Sequence, residues 1–537
     1  MKQRQSASST STFSRRDLLA LVGKAAGGAA MYHAMSSLGL AAESAYSGSP
    51  RLEGAPKGTS VVVLGAGLAG MAAALELREA GYKVQILEFG QRSGGRCWTL
   101  RGGDRFTELG GATQHCEFAS GEYFNPGPWR IPYHHHAVLD YCRRLGVALE
   151  PFVQVNYNAL LHSSKAFGGK PQRYRHVQAD YQGNVAELLN KAAMQGNLDA
   201  VLSKEDKEKL LERLRNWGAL DAQFRYQQNE LTSMRRGFDV DPGGGLMPMQ
   251  KPSEPIGMGE LLQSGLWRHI GSGQGYEYQS AMFQPVGGMD MIAKAFHKKV
   301  GKLIRFNAKV TKIEQNERGV TVSYTDLSRG GALAQMQAKA DWCVCTIPLS
   351  ILSQLEIQVG EPMRKAIDAV PYEASLKVGL QFKRRFWEED EAIYGGISYT
   401  DLPIKSISYP SHSCGAKGKA VLLGAYTFGP NAYEFTAMPP QERVRRAVEF
   451  GSQIHPQYKR EFDNGIAVGW HRMPGVNGCF GLWSQKARQE HYKNLCEVDG
   501  RIVLAGEHAS CLPAWQEGAL LSALDAIKRL HARAAAL

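Results

Sequence analysis

A glycine triplet and a carboxylate at fixed spacing carry the first chemical signal. Gly65-Ala-Gly67-Leu-Ala-Gly70 follows an apolar run and opens a stretch of helical composition. In that setting the first glycine permits a tight turn and the second lets the backbone approach a pyrophosphate. The third allows helix and strand to pack closely. Leu68, Ala69 and Gly70 close this turn, and the helix that follows offers unpaired N–H groups and a positive dipole end to a diphosphate. Glu88 lies 18 residues beyond Gly70, where a carboxylate can accept from ribose hydroxyls. Other reactive side chains are less directed. The nine cysteines include no CxxC pair and no Cys/His cluster at zinc spacing. Cys343 and Cys345 sit in an apolar run and read as small hydrophobes of a buried strand. His134, His135 and His136 are consecutive, so on a helix they point about 100° apart and cannot converge on a metal. No metal site is expected. Arg235-Arg236 reads as a solvated charged face, or as an approach to a substrate entrance.

These groups need elements to hold them. Residues 61–64 read as a strand, 65–70 as a turn, 71–80 as a helix capped by Gly81, and 84–87 as a second strand. That is a βαβ unit. From 132 to 217 the pattern is mostly helical, clearest at 186–190 and 205–214. Residues 237–258 are rich in Gly and Pro and read as a long loop. Strand patterning returns at 303–313, 320–324 and 342–347, then at 377–382 and 421–428. The end, 501–537, reads as strand, Gly-rich turn and long helix. A nucleotide fold that begins near residue 61 and finishes at the last helix must carry its other parts as insertions. The length of 537 residues already demands more than one core. Hydrophobic residues at 43% and charged residues at 21% fit a globular chain. The formal charge of +12 suits anionic ligands or a solvated surface. Basic runs are short and lack interleaved aromatics, which argues against nucleic acid. Past the N-terminus no run reaches the roughly 20 apolar residues of a membrane span.

Two further segments specify the cofactor by resemblance. Gln91-Arg-Ser-Gly-Gly95-Arg96, then Glu108-Leu-Gly110-Gly111-Ala112-Thr113, resemble the second and third signatures of the flavin amine oxidase family. The resemblance implies FAD, with Gly95 and Arg96 against its phosphates and Gly110, Gly111, Ala112 and Thr113 against the flavin. Arg501-Ile-Val-Leu-Ala-Gly506-Glu507-His508 is similar to the family's closing strand, whose Glu binds the ribityl–phosphate region. Pro513-Ala514-Trp515-Gln-Glu-Gly-Ala519 resembles the entry to the last helix, which places Trp515 and Ala519 at the flavin. Val310 matches a position whose backbone meets the adenine. The resemblance spans residues 59–530. It implies an α/β fold: an FAD-binding Rossmann-like (GR2-type) domain with an inserted mixed-sheet substrate domain and a helical subdomain. The FAD-binding parts fall at 59–129, 285–349 and 471–537, and the helical subdomain at 130–236. A substrate-domain loop region follows at 237–284, and the substrate-binding domain proper at 350–470.

A finer resemblance concerns the substrate. Gly127-Pro-Trp-Arg130-Ile-Pro132 resembles a segment of L-amino acid oxidases whose arginine clamps the substrate carboxylate, a role suited to a planar guanidinium. Thr400-Asp-Leu-Pro403 and Tyr409-Pro-Ser-His412 resemble the same subfamily. By that likeness Tyr426 gives the carboxylate a second hydrogen bond and Trp515 is the aromatic facing it. Ala514, where several relatives have Gly, offers a carbonyl to the amine. Lys377 resembles the family's lysine that contacts flavin N5 through water and assists reoxidation by O2; burial there should lower its pKa. The implied reaction is oxidative deamination of an L-amino acid with O2, giving a 2-oxo acid, ammonia and hydrogen peroxide. An amino acid 2-monooxygenase, a mono- or polyamine oxidase, and a catalytically silent FAD protein stay open. Arg130 with Tyr426 argues against the amine reading, and Lys377 against the silent one. A homo-oligomer, most simply a dimer, is expected.

The N-terminus reads as an address. Ser14-Arg15-Arg16-Asp17-Leu18-Leu19 precedes a mildly apolar, Gly/Ala-rich stretch, and residues 1–44 resemble a twin-arginine export signal. Residues 45–58, rich in Gly, Pro and Ser, read as a linker. Leu18 stands where Phe is common, and no clean A-x-A cleavage site follows. The expected destination is the periplasm or the outside.

Overall fold

The computed structural model describes residue 44 and residues 46–328 and 334–536. The export segment 1–44 therefore lies, but for Ser44, outside the described residues.

Strand β1 (Ser60–Leu64) is apolar without alternation, and Val61 to Leu64 are at most 1% exposed. Such a run suits the centre of a parallel sheet covered on both faces. It pairs in parallel with β2 (Lys83–Leu87) on one side and with the strand Trp342–Cys345 on the other. Helix α1 (Leu68–Glu79) connects β1 to β2, and its run Ala72-Ala73-Ala74 is fully buried. These small side chains let α1 sit close to the sheet and to the terminal helix Gln516–Ala535, with which it shares a core. The six-stranded sheet is completed by Ile304–Arg305 beside β2, by Ile502–Leu504 beside Trp342–Cys345, and by an antiparallel edge at Val498–Asp499. One layer thus draws on chain from both ends and the middle. In Trp342–Cys345, Trp342 and Val344 face one core and Cys343 and Cys345 the other, the alternation of any buried strand.

A second, seven-stranded sheet runs in the order Phe462–Gly469, Ser375–Phe382, Ala420–Phe428, Ser406–Ser408, Ile397–Thr400, Leu160–His162, Gln172–Arg173. All eight residues of Ser375–Phe382 are buried, because antiparallel neighbours flank it on both sides and side chains cover both faces. Helices Tyr174–Met194, Lys204–Gly218 and Glu230–Arg236 pack to one side. No helix among the described residues is long and apolar enough to cross a membrane.

Four sequence expectations need correction. The mostly helical stretch contains strands at Leu149–Val153, Leu160–His162 and Gln172–Arg173, too short to display a period of two. The loop at 237–258 holds a small hairpin, Phe238–Val240 against Lys251–Pro252. Residues 46–58 are tied down rather than free, with Leu52 buried in the first core and the Tyr46 hydroxyl donating to Asp140 at 2.6 Å. Arg236 is no solvated face. Asp180 is fully buried on the helix Tyr174–Met194 and needs a cation, which Arg236 supplies at 2.9 Å.

One buried pair fastens the substrate sheet's helical cover to the third signature segment, which begins at Glu108. Arg443 grips Glu108 with two parallel bonds, Nη1 to Oε1 at 2.6 Å and Nη2 to Oε2 at 2.9 Å, and both side chains are at most 2% exposed. Glu108→Ala should cost about 3–5 kcal/mol, because it strands a buried guanidinium. Adding Arg443→Met should restore most of the loss, as thermal unfolding of the three variants would record. A single variant that melts with the wild type would show that the pair does not hold this junction.

Candidate active site

Between the two sheets lies a cavity of about 990 Å³. That is the upper end of small-molecule sites, as a dinucleotide and a substrate together require. At one end is the β1–α1 turn. Gly65 has φ of +100°, and a Cβ there would lie 2.6 Å from Thr346 Oγ1. A Cβ on Gly70 would lie 2.0 Å from the Gly65 carbonyl oxygen, so helix and turn touch only because both residues lack one. Above Gly67 the space is open, no side chain caps α1, and no acid sits in its first turn. This leaves the positive helix end free for a phosphate. The Glu88 carboxylate accepts from the amides of Ala66 at 2.6 Å and Gly90 at 2.7 Å, and burial pushes its pKa up. It braces the loop around the turn while keeping lone pairs for a ribose.

Further along, Glu507 accepts from Arg96 Nη1 at 2.8 Å, from Gly481 N at 3.2 Å and from Ala514 N at 3.1 Å. Burial alone would raise its pKa, but Arg96, His508 and these amides outweigh burial and lower it. Arg92 also lines the cavity, with its guanidinium 4.4 Å from the Trp98 ring centroid. Burial lowers it to about 10, so it stays a cation at neutral pH. Open space over Gly67, an uncapped helix and the cations Arg92 and Arg96 make a cradle that FAD fits.

The other end is built around two cations. Lys377 sits at the centre of the buried strand Ser375–Phe382, directly across from Tyr426. It is 2% exposed. Its Nζ donates to the carbonyls of Gly127 and, at 3.4 Å, Asn125. The ring centroids of Tyr426 and Trp129 lie 4.4 and 4.6 Å away. Burial, with the like charge of Arg130 adding to it, lowers the lysine to about 7. Arg130 donates from Nη1 to Gln154 Oε1 at 2.7 Å and from Nη2 to the Tyr278 hydroxyl at 3.0 Å. Its Nε is buried without a hydrogen-bond partner, and the groups that hold its other nitrogens are neutral. Trp129 and Tyr278 flank the guanidinium at 5.1 and 4.7 Å. Ala514 is held at φ of +70°, a left-handed conformation that strains any residue with a Cβ, and which explains the advantage of Gly there. Trp515 opens the terminal helix and meets His135 edge-on at 5.0 Å.

The structure brings most of the sequence-derived residues onto this one surface. Gly65, Gly67, Leu68, Ala69, Glu88, Gly95, Arg96, Arg130, Val310, Lys377, Tyr426, Gly506, Glu507, Ala514, Trp515 and Ala519 all line the cavity. Gly70 lies beneath Gly65 instead. Gly110, Gly111, Ala112 and Thr113 do not line it. They form the turn between strands Arg105–Thr107 and Thr113–His115, whose position follows from Glu108 being drawn inward to Arg443. Thr107 and Leu109 meet the cavity in their place. Sequence reasoning missed Gln154, Tyr278, Trp129 and Arg92 as site residues. Trp129 and Arg92 lie inside the segments 127–132 and 91–96; Gln154 and Tyr278 belong to no motif and are brought in by the antiparallel pairing of Leu149–Val153 with Ala281–Pro285.

Comparison with known proteins agrees with this geometry. The chain matches the family model for flavin containing amine oxidoreductases over residues 68–530. It is 29% identical over 483 residues to YobN of Bacillus subtilis (strain 168), covering 86% of this chain and 93% of that protein. It is 28% identical over 488 residues to an L-amino-acid oxidase of Siganus canaliculatus, covering 88% and 85%. Among solved structures, cyclohexylamine oxidase from Brevibacterium oxydans IH-35A superposes with a TM-score of 0.57 at 16% identity, covering 90% and 99%. Putrescine oxidase bound to putrescine gives 0.55 at 17%, covering 91% and 99%.

The depressed lysine has a consequence for stability. Unfolded, Lys377 titrates near 10.5, and folded near 7. Between those values the unfolded chain binds the extra proton, so stability rises with pH across this window. Below about pH 7 the burial penalty is fully present. Lys377→Met removes it. The melting temperature of the variant should therefore exceed that of the wild type most at pH 6–7, with the gap narrowing toward pH 10. A gap that does not change with pH would show that the lysine is not desolvated.

Proposed function

The chain belongs to the flavin-containing amine oxidoreductase family, and within that family we propose that it oxidises L-amino acids, with O2 as acceptor. One observation carries the reading: Arg130 lies in the cavity beside Lys377, held there by the neutral side chains of Gln154 and Tyr278 with its Nε buried and without a hydrogen-bond partner. A substrate carboxylate would supply the missing partner through a charge-assisted, two-pronged contact. A simple amine would bring the guanidinium no such partner, which counts against substrates of the kind named for the structural neighbours.

FAD, when bound, supplies two-electron acceptance and reoxidation by O2, which yields hydrogen peroxide. The chain's residues supply the rest. Arg130, braced by Gln154 and Tyr278, fixes the carboxylate, and Tyr426 lies beside Lys377 to add a hydrogen bond. The Ala514 carbonyl is available to the amine, so that Cα is presented in one orientation. Trp129, Tyr426 and Trp515 exclude water and bound the space for the side chain. Lys377, titrating near 7, can hold or release a proton at Nζ within the working range. The imino acid that leaves is hydrolysed to a 2-oxo acid and ammonia.

The same proposal places the protein in the periplasm or outside the cell, on the strength of Arg15-Arg16, and as a homo-oligomer in amino acid catabolism. Changing both arginines to lysine should leave folded yellow protein in the cytoplasm, which fractionation and flavin absorbance would register. Unchanged export would remove the twin-arginine reading.

Arg130→Met tests the substrate. Loss of one partner of a buried charge-assisted contact should cost roughly 2–5 kcal/mol, or about thirtyfold to a few thousandfold in kcat/KM for flavin reduction. The variant should keep its FAD spectrum and lose its preference for an amino acid over the matching decarboxylated amine, as stopped-flow reduction with both would reveal. Wild-type reduction by the amino acid would place the clamp elsewhere.

A further inference from the structure

A pair of cysteines on different elements shares one tyrosine, and neither lines the cavity. Tyr492 and Cys496 are one turn apart on the helix Gln485–Cys496, so their side chains meet the same neighbour. That neighbour is the segment 509–511, which follows Glu507 and leads into Ala514 and Trp515. The Tyr492 hydroxyl donates to the Ala509 carbonyl at 3.3 Å, and Cys496 Sγ approaches that carbonyl at 3.7 Å. Cys511 Sγ lies 3.7 Å from the Tyr492 hydroxyl, and Cys496 is near enough to interact electrostatically with both that hydroxyl and Cys511. Two sulfurs therefore flank one oxygen. Cys511 is exposed and Cys496 half-buried. Arg488 donates to the carbonyl of Ser510 at 3.2 Å and lies 5.0 Å from the Tyr492 ring centroid, which ties the segment to the helix.

We propose that Cys496 and Cys511 are a modification site, a reversible disulfide written by hydrogen peroxide. The source of the oxidant rests on the oxidase reading above; the geometry of the pair does not. Thiolates attack peroxide, and the solvent-exposed Cys511 meets it before the half-buried Cys496. The Cys511 thiolate attacks one peroxide oxygen, the O–O bond breaks, and the second oxygen leaves as water after taking a proton. Cys511 is oxidised to a sulfenic acid and the peroxide is reduced. Burial holds the Cys496 thiol up at about 11, so it waits as the resolving partner. Its sulfur then attacks Cys511 sulfur, the S–O bond breaks and a second water departs. Two thiols and one peroxide become one disulfide and two waters. The link fastens segment 509–511 to the helix Gln485–Cys496, just upstream of the strained Ala514.

The test uses reduced holoprotein, treated with hydrogen peroxide, alkylated and peptide-mapped by mass spectrometry. The expected result is a Cys496–Cys511 peptide pair lighter by two hydrogens and split by dithiothreitol, with a melting temperature raised by a few degrees. In Cys496→Ser, Cys511 should run on to the sulfinic acid; in Cys511→Ser, Cys496 should stay reduced. Wild-type Cys511 that remains a thiol, or over-oxidises without forming the pair, overturns the proposal. A parallel sample turns over an L-amino acid in air, with and without catalase. The pair should form there and be suppressed by catalase. Its formation with added peroxide but not with the amino acid would uphold the disulfide and remove the oxidase reading.

Discussion

Lys377 and Arg130 are two basic groups buried in one apolar-walled cavity, each hydrogen-bonded to neutral partners, and this shared burial sets the terms for the rest of the site. A buried charge must be paired, hydrogen-bonded or discharged. The two side chains answer differently because their chemistry differs. Lysine can give up its proton, and buried among carbonyls and aromatic faces with Arg130 nearby, Lys377 falls to about 7. Arginine cannot. It stays charged and gathers neutral acceptors, Gln154 and Tyr278, with ring faces on either side. The result is a titratable group and a permanent cation within one pocket, the first suited to moving protons and the second to holding an anion.

Holding such a pair in place requires a stiff frame. Lys377 lies on a strand buried along its whole length, and its cross-strand partner Tyr426 is fixed by register rather than by a loop. The cofactor end is braced in the same way. Thr346, from the middle of the chain, closes over Gly65, and Glu507, from its last part, pairs with Arg96 from its first. Each contact joins residues hundreds of positions apart. The cavity is thus a seam between two sheets, neither of which contains the site alone. The bidentate Glu108–Arg443 pair ties the same seam beside the cavity.

The sequence by itself determined what depends on short-range rules. An apolar run, a glycine turn and an Ala-rich helix within thirty residues give β1, α1 and β2 with their phosphate-facing end, because sterics and helix polarity act locally. Lys377 and Tyr426 were legible as strand residues, and Arg130 as a guanidinium in a Pro-flanked turn that resembles a known clamp. Only the tertiary structure decided what surrounds them. No local pattern reveals that Gln154 and Tyr278 converge on Arg130, since they are joined through the pairing of two strands that are 128 residues or more apart in the chain. Nor could it show that Arg236 is consumed by Asp180, or that the turn after Glu108 lies outside the cavity. A pKa, a guanidinium held by neutral partners and a strained Ala514 are properties of enclosure. They arise from which side chains share a volume, and that is fixed by packing between segments rather than by the order of residues within one.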